Sequence, residues 1–483
     1  MSLLKGVNVN KKKFLVTLVI VLVVLTAAFA LLKEDKVEIG TYLHSSLNPS
    51  YHSSIGQRLL SENVYETLVT YNEYGELKPL LAEDWELKNE DKGVFRFYLK
   101  EDVKFHNGRE LTSEDVVDSL NNSMNTESRF KNAVFNIEEF DIVDKHTVDI
   151  EFPNSRVRNI YSLAHPSASI LSLEEKESLD EVGGVGTGPY KILDSSEDIV
   201  IGEFEKYYRE VETFGEVSIN IIQDDENKKL DFDIVHGRVF EEESEKLEEY
   251  EIAKYPGNSI YLLALDLKQK PFFDKQLRQH ISGIIDRKSI SEKAGIRYEP
   301  LYSHFPSFHK NYMPVFKNMS KIGFEDNYST ELSVQNYSQD IQIAKKLMEQ
   351  VNTKSNLTFT KEKYEFRHFI SNYDYFNSYI TELSSSFYYP GLCFILDSEG
   401  SDSAGINFEN EEFDDLVYRK RYEHSSEDRQ DIFEEIQEKM AEEKPVIPLL
   451  ESRHIVGLSN KVNQEDIHVT PMGSLVLKNK GDY

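Results

Sequence analysis

Between Leu59 and Leu120 the apolar positions change period along the chain, and each change marks an element. Leu59, Leu60, Val64, Leu68 and Val69 recur at the spacing of one helix face, which predicts a helix running through Val69. After Tyr74-Gly75, Val94, Phe95, Phe97 and Leu99 alternate as a strand, with polar Arg96 and Tyr98 pointing the other way. Asn107-Gly108 predicts a positive-φ turn. Thr112 with Asp115 predicts a capping box ahead of Val116, Val117 and Leu120.

The same reading extends along the rest of the chain. VEIGTYLHSSLNPSYH, from Val37, is a strand leaving into a polar turn at Asn48-Pro49-Ser50, and Val148, Ile150 and Phe152 alternate as another strand. Gly183 to Asp194, GGVGTGPYKILD, lacks both the strand-to-helix setting of a dinucleotide fingerprint and the Lys-Ser or Lys-Thr of a P-loop. Pro189 follows Gly188, and Tyr190, Ile192 and Leu193 start a strand that pairs through the Ser195 turn with Ile199 to Phe204. Val217, Ile219 and Ile221 alternate, as do Leu230, Phe232 and Ile234. The glutamate run Glu241 to Glu251 is the wet face of a helix whose Leu247 and Tyr250 pack inward. Asp274 caps a helix with Leu277, Ile281, Ile284, Ile285 and Ile290 close to one face, and Ser338 caps another carrying Ile341, Ala344, Leu347 and Met348. Phe408 to Leu450 gives two more helices, and Lys444 to Leu449 a strand.

Composition narrows the setting. The 483 residues carry a net charge of −30, which argues against nucleic acid and anionic lipid as partners. A single cysteine, Cys393, rules out an internal disulfide. Lys11, Lys12 and Lys13 precede an uncharged apolar run from Phe14 to Leu32, about 30 Å as a helix and enough to cross a bilayer. The lysines stay inside, so the acidic body is placed outside the cell, either held by an uncleaved anchor or secreted after cleavage at Ala28-Phe29-Ala30. Lys33 to Lys36 span roughly 15 Å, so an anchored body sits close to the membrane.

As whole strings, these pieces are more specific than their local physics. The YETLV helix, the LAEDWEL turn, FYLKEDVKFHNGRELTSEDVV, GTGPY, the LDFDI strand, and Arg278 with Ile285-Asp286-Arg287 closely resemble the family 5 extracellular solute-binding proteins, the oligopeptide, dipeptide and nickel binders of ABC importers. The resemblance runs from about Val37 to Val462 and implies an α/β, two-lobed periplasmic-binding-protein-like fold with mixed sheets. Residues 1–32 are then the anchor or signal peptide and 37–255 the first lobe, with an inserted subdomain over about 62–172. Residues 256–445 form the second lobe, shortened at 356–405, and 446–483 return to the first. Hinge closure about a peptide or similar small polar ligand, delivery to ABC permease subunits and a monomeric state are implied with it.

Ligand choice is expected where the pattern departs most. In relatives a DYPDP-like turn supplies an acid for the peptide amine. Here it reads SSFYYPGLCFILDS, and Tyr388 stands in the acid's place, where a phenol cannot neutralise an ammonium. Asp397 and Glu399 are the substitutes nearby, and Arg367 is the arginine of the shortened section. Cleft walls are expected from Tyr42 and His44 on one side and from Phe387, Tyr388, Tyr389 and Gly391 on the other. No enzyme motif is present: there is no HExxH and no GxSxG, and the Ser-x-x-Lys strings at Ser128 and Ser307 lack the Lys-Thr-Gly that would accompany them. His44, His52, His106, His304 and His309 have no acidic or cysteine partner at ligand spacing, so neither metal nor other cofactor is expected. The alternatives are a divergent surface receptor or scaffold that has lost peptide capture and, behind it, a hydrolase.

Overall fold

The computed structural model describes residues 36–41, 47–51, 55–72, 74, 76–126, 136–156, 158–174, 184–222, 231–236, 249–309, 312–317, 323–364, 376–384, 396–397, 404–470 and 473–477. In chain order the strands are β1 Val37–Thr41, β2 Val69–Tyr71, β3 Leu77–Pro79, β4 Ala82–Asn89, β5 Val94–Leu99, β6 Glu139–Asp144, β7 Thr147–Glu151, β8 Tyr190–Asp194, β9 Ile199–Glu203 and β10 Glu216–Ile221. They continue as β11 Ile234–His236, β12 Glu251–Leu265, β13 Tyr298–Pro300, β14 Tyr328–Gln335, β15 Leu357–Tyr364, β16 Ser378–Ser384, β17 Val446–Leu458, β18 His468–Val469 and β19 Leu475–Val476.

One mixed sheet runs β15-β14-β16-β12-β17-β11-β1-β10-β9-β8, with β13 also on β17. Its middle is the long antiparallel pair β12 and β17, which crosses between two separate cores. Ala253 and Tyr255 with Val456 and Leu458 belong to a core that includes Ile39, Ile219, Ile234 and Leu59. Beyond a register shift between Pro256 and Ile260, the same two strands enter the second lobe. There Tyr261, Leu263 and Leu265 pack on Leu277, Ile281 and Leu347, while the alternate residues Ile260, Leu262 and Ala264 pack on Phe413, Ile436 and Met440. This near-continuous apolar run is what a strand covered by helices on both faces requires. Burying each such side chain contributes about 2 kcal/mol.

The antiparallel sheet β4-β5-β7-β6 forms the smaller insert. Phe95, Phe97 and Leu99 are buried and Tyr98 exposed, as the alternation predicts. Gly108 takes a φ of 88°, and the Thr112–Asp115 capping box is formed, with the Thr112 N–H donating to Asp115 Oδ2 at 2.9 Å.

Four local expectations are corrected. The first helix spans Ile55–Val64 and stops before Leu68 and Val69, which belong to the β2 region. Long-range bonds replace its last turn: Asn63 Nδ2 donates to Leu475 O, and the Gly188 N–H donates to Val64 O. Ala82–Asn89, expected as a turn, is strand β4. The helix from Lys275 ends at Ile284, because the Asp286 N–H turns to Gln350 Oε1 and Asp286 caps a new helix, Arg287–Ala294. Ser338 is the first helical residue, not the cap, which is Tyr337. Asp286 and Arg287 brace the fold as expected: Arg287 Nε donates to Pro448 O at 2.8 Å, under the rings of Tyr302 and Phe316.

GTGPY has a packing explanation. A Cβ on Gly186 would lie 2.1 Å from Val64 O, and one on Gly188 2.7 Å from Asn63 O, so only glycine lets this loop lie on the helix end. Gly186→Ala is expected to lower the unfolding free energy by about 2 kcal/mol, read as a reduced urea midpoint with unchanged slope.

Burial depresses several imidazoles: His165, His236 and His304 to about 3 and His106 to about 4. Each is neutral in the folded state and protonates near 6.5 when unfolded. Their contribution is therefore fully present above about pH 6.5 and is lost as pH falls toward the folded values. His165 Nδ1 accepts from the Ser167 N–H at 3.1 Å, a bond asparagine can copy without titrating. His165→Asn is expected to flatten the fall in unfolding free energy between pH 7 and pH 4 by about 3 kcal/mol, read from urea midpoints at unchanged slope; an unchanged pH profile would contradict the assignment.

Candidate ligand-binding cleft

Strand direction locates the cleft. β1 runs parallel to β10 and β11, and β11 is antiparallel to β17, so the carboxyl ends of β1, β10 and β11 point toward the second lobe. β16 is antiparallel to β12, and β14 and β15 run with it, so their carboxyl ends point back at the first lobe. Ligands in open α/β sheets bind outside the carboxyl ends of strands. Here two sets of such ends face each other across the crossing ribbon.

Among the described residues, one edge of the ribbon carries no strand partner between the lobes. One edge of β17 pairs with β11 at Val456–Leu458 and with β13 at Leu450–Ser452, while its other edge follows β12 throughout. His454 and Ile455 thus lie between the two sets of rungs. Beside them is a buried charge: Glu451, 3% exposed, accepts from Ser307 N at 2.6 Å, Ser307 Oγ at 2.7 Å and Arg453 Nη2 at 2.9 Å. Arg453 also bonds Glu299 Oε2 at 2.8 Å. Burial raises the Glu451 carboxyl, and Arg453 acts against that rise. This network fastens β13 and the Ser307 loop to the ribbon.

On the first lobe, the core-facing positions change from apolar to polar at the cleft end. Val37 and Ile39 are followed on the same face by Thr41, Ile234 by His236, and Val456 is preceded by His454. On the second lobe, Tyr261 Oη donates to Glu382 Oε2 at 3.3 Å, two residues before the end of β16. Asp340, in the first turn of the helix after β14, is pushed up to about 6 by burial, with Tyr261 lowering it and Glu382 raising it.

The residues expected from sequence to line the cleft, Tyr42, His44, Arg367, Phe387, Tyr388, Tyr389 and Gly391, lie outside the described residues, as do His52, Cys393, Glu399 and most of the 241–251 run. Their positions in the chain still follow the relevant strand ends: residue 42 follows β1, 365 follows β15 and 385 follows β16. Asp397 is engaged in the fold by Arg421 Nη2 and is not an open amine anchor. Asp340 and Glu382 were not singled out in the sequence, because an acid within a strand or first helical turn reads as solvent-facing. His106 is a structural residue, its Nε2 3.0 Å from Gly188 O. His304 is buried against Phe316, and among the described residues no group of His, Cys, Asp and Glu could hold a metal ion.

A cavity of about 1090 Å3 lies elsewhere, lined by Glu66, Tyr71, Lys78, Lys100, Tyr208 and Arg209 among others, with no residue from β12 or β17. Its central groups are already committed. Glu66 accepts from Thr187 Oγ1 at 2.9 Å, Tyr207 Oη at 2.8 Å and Tyr208 Oη at 3.0 Å, and Lys100 is tied to the Leu80 and Ala82 carbonyls. The Glu66 bonds join the insert to the first lobe, so the ribbon, and not this cavity, is the candidate cleft.

Residues 76–384 match the model of bacterial extracellular solute-binding proteins, family 5, middle region. The nickel-binding protein NikA of Staphylococcus aureus is 25% identical over 239 residues, 47% of either chain, so the match spans about half its length. The open, unliganded form of the periplasmic murein tripeptide-binding protein MppA superposes with a TM-score of 0.80 at 17% identity, covering 93% of this chain and 99% of that one. DppA of Helicobacter pylori in complex with a peptide gives 0.60 at 19% identity, covering 92% and 98%. Fold, strand polarity and family match agree: this chain belongs to the bacterial extracellular solute-binding proteins, family 5.

Proposed function

We propose that this protein is the extracytoplasmic solute-binding component of an ABC importer, capturing a peptide or similarly small polar solute by closing two lobes about the β12–β17 ribbon. The observation that carries the reading is the convergence of two sets of strand carboxyl ends on one two-stranded crossing. The first lobe is residues 37–255 with its insert at about 62–172, the second is 256–445, and 446–483 return to the first lobe, with Val446 to Leu450 still packed in the second lobe's cores on the way. The register shift at Pro256–Ile260 supports that boundary. Tyr42, His44, Arg367, Phe387, Tyr388, Tyr389 and Gly391 line the site, and Asp340 with Glu382 takes the amine role that Tyr388 cannot fill.

The body works outside the cell. Among the described residues no helix is long and apolar enough to cross a membrane, and the apolar run Phe14–Leu32 lies outside them. That run holds the protein at the membrane, or it is lost if cleavage follows Ala30. The departure at 356–405 favours one competing reading, a receptor or scaffold that no longer captures peptide.

Native mass spectrometry of the full chain from its own host is expected to show a retained small solute. A tripeptide library is expected to raise the melting temperature, since a ligand at a hundred times its Kd stabilises by about 2.7 kcal/mol. No retained solute together with no shift would leave the scaffold reading standing, and turnover of a library peptide would overturn both.

A further inference from the structure

The two lobes also meet away from the ribbon. Arg156 follows β7 in the insert, and Tyr422 ends the helix Glu411–Tyr422 in the second lobe. Arg156 Nε donates to Tyr422 Oη at 3.2 Å, and its guanidinium lies 5.7 Å from the centre of the Tyr422 ring, against which Tyr418 packs at 5.2 Å. A second contact runs beside the first. The His424 ring stands 5.9 Å from that of Phe95, which belongs to the core of the insert and is 1% exposed. Neither contact involves β12 or β17.

Chain direction puts these residues across the gap between the lobes. The helix Ser426–Glu443 leads through Lys444 and Pro445 straight into β17, which runs from the second lobe toward the first. Over about 27 Å the helix runs the opposite way, so its amino end, with the carboxyl end of Glu411–Tyr422, faces the first lobe. Both helices pack on Ile260, Leu262 and Ala264 through Phe413, Leu416, Ile432 and Ile436, so the turn between them moves with the second lobe.

Both partners are held before they meet. Asn154 Oδ1 accepts from the Arg156 N–H at 3.1 Å, and Asn154 O from Asn159 Nδ2 at 2.7 Å. Across the gap, the Glu423 N–H donates to Arg419 O, Arg429 Nη1 donates to Glu423 O at 2.9 Å, and Ser425 Oγ caps the next helix. Groups fixed in this way lose little freedom on meeting, so little of the contact's energy is offset by ordering them. A hinge, moreover, leaves in place only what lies on its axis. A hydrogen bond is lost when its partners separate by about 1 Å, and this one joins the lobes off the ribbon.

Resting on the lobe motion proposed above, we infer that Arg156 and Tyr422, seconded by Phe95 and His424, form a clasp that ties the insert to the second lobe and must release before the lobes move about the ribbon. The insert is then more than an appendage of the first lobe: it sets how far the unliganded lobes stray from this arrangement.

The test reads the distance between the lobes in the full chain with no added solute. Spin labels at Glu139→Cys in the insert and Glu438→Cys in the second lobe, both exposed positions, report it by electron–electron double resonance in a Cys393→Ser background. One dominant distance is expected in this parent, and Arg156→Ala and Tyr422→Ala should each raise the fraction at other distances about fivefold. Combining them should add nothing, since both remove the same contact. Tyr422→Phe, which keeps the ring beneath the guanidinium, should fall between. Arg156 and Tyr422 are half-buried and lie outside the apolar cores, and His424→Ala, which removes the other arm, should act in the same direction if either of them fails to fold. Unchanged distances in the single variants overturn the clasp, as does a double variant whose effect is the sum of the two. A melting shift with the tripeptide library but unchanged distances removes the clasp and leaves solute capture standing. Altered distances with neither a melting shift nor a retained solute keep the clasp and remove capture.

Discussion

The whole molecule hangs on one ladder, the antiparallel pairing of Glu251–Leu265 with Val446–Leu458. Each lobe adds its own strands to an edge of that ladder, and each builds its core on a different stretch of the same two strands. A strand can serve both cores only if its apolar residues run on past the junction, which is why Ile260 to Leu265 has no polar interruption. Where the cores end, the register slips and Gly257 brings the backbones together. A Cβ there would lie 2.4 Å from Ser452 Oγ and 2.8 Å from Ser452 O. Glycine at this point permits close approach and leaves the chain its freest dihedral angles where the lobes part.

The charged network beside that junction has a different role from the apolar cores. Glu451 is nearly inaccessible and is satisfied by Ser307 and Arg453, while Glu299 holds Arg453 from β13. Removing one member would strand a buried charge, which is far costlier than the net worth of the pair. The network therefore fixes where the second lobe begins on the ribbon more than it adds to overall stability. The insert is attached in the same manner: Glu66 gathers three hydroxyls from Thr187, Tyr207 and Tyr208, joining the end of the first helix to the GTGPY loop and the segment after β9.

Much of this was legible in the sequence, and the reasons are specific. Alternation in Val94–Leu99, the Thr112–Asp115 box and the Asp274 cap are local signals with local causes, and they appear where expected. Leu68 and Val69 misled because apolar spacing cannot see Asn63 bonding to Leu475, more than 400 residues along the chain. The second helix break was hidden for the same reason, since Gln350 supplies the bond that frees Asp286. The site residues expected from the sequence lie outside the described residues, and the polar ends of the strands that face the cleft were not singled out. Thr41, His236 and His454 carry a signal that alternation could have revealed, a polar residue at the end of an apolar face on each of three strands, but only the sheet order shows that the three faces are one.

A ribbon two strands wide has a mechanical character. Its hydrogen bonds and covalent chain resist stretching, while among the described residues no strand pairs with the His454–Ile455 stretch on one edge. It behaves as a flexure rather than a ball joint. In the closure proposed above the lobes would swing along one arc set by this ribbon. Solutes of different shape can then be accommodated by changing the loops after the strand ends, while the bearing itself is left alone.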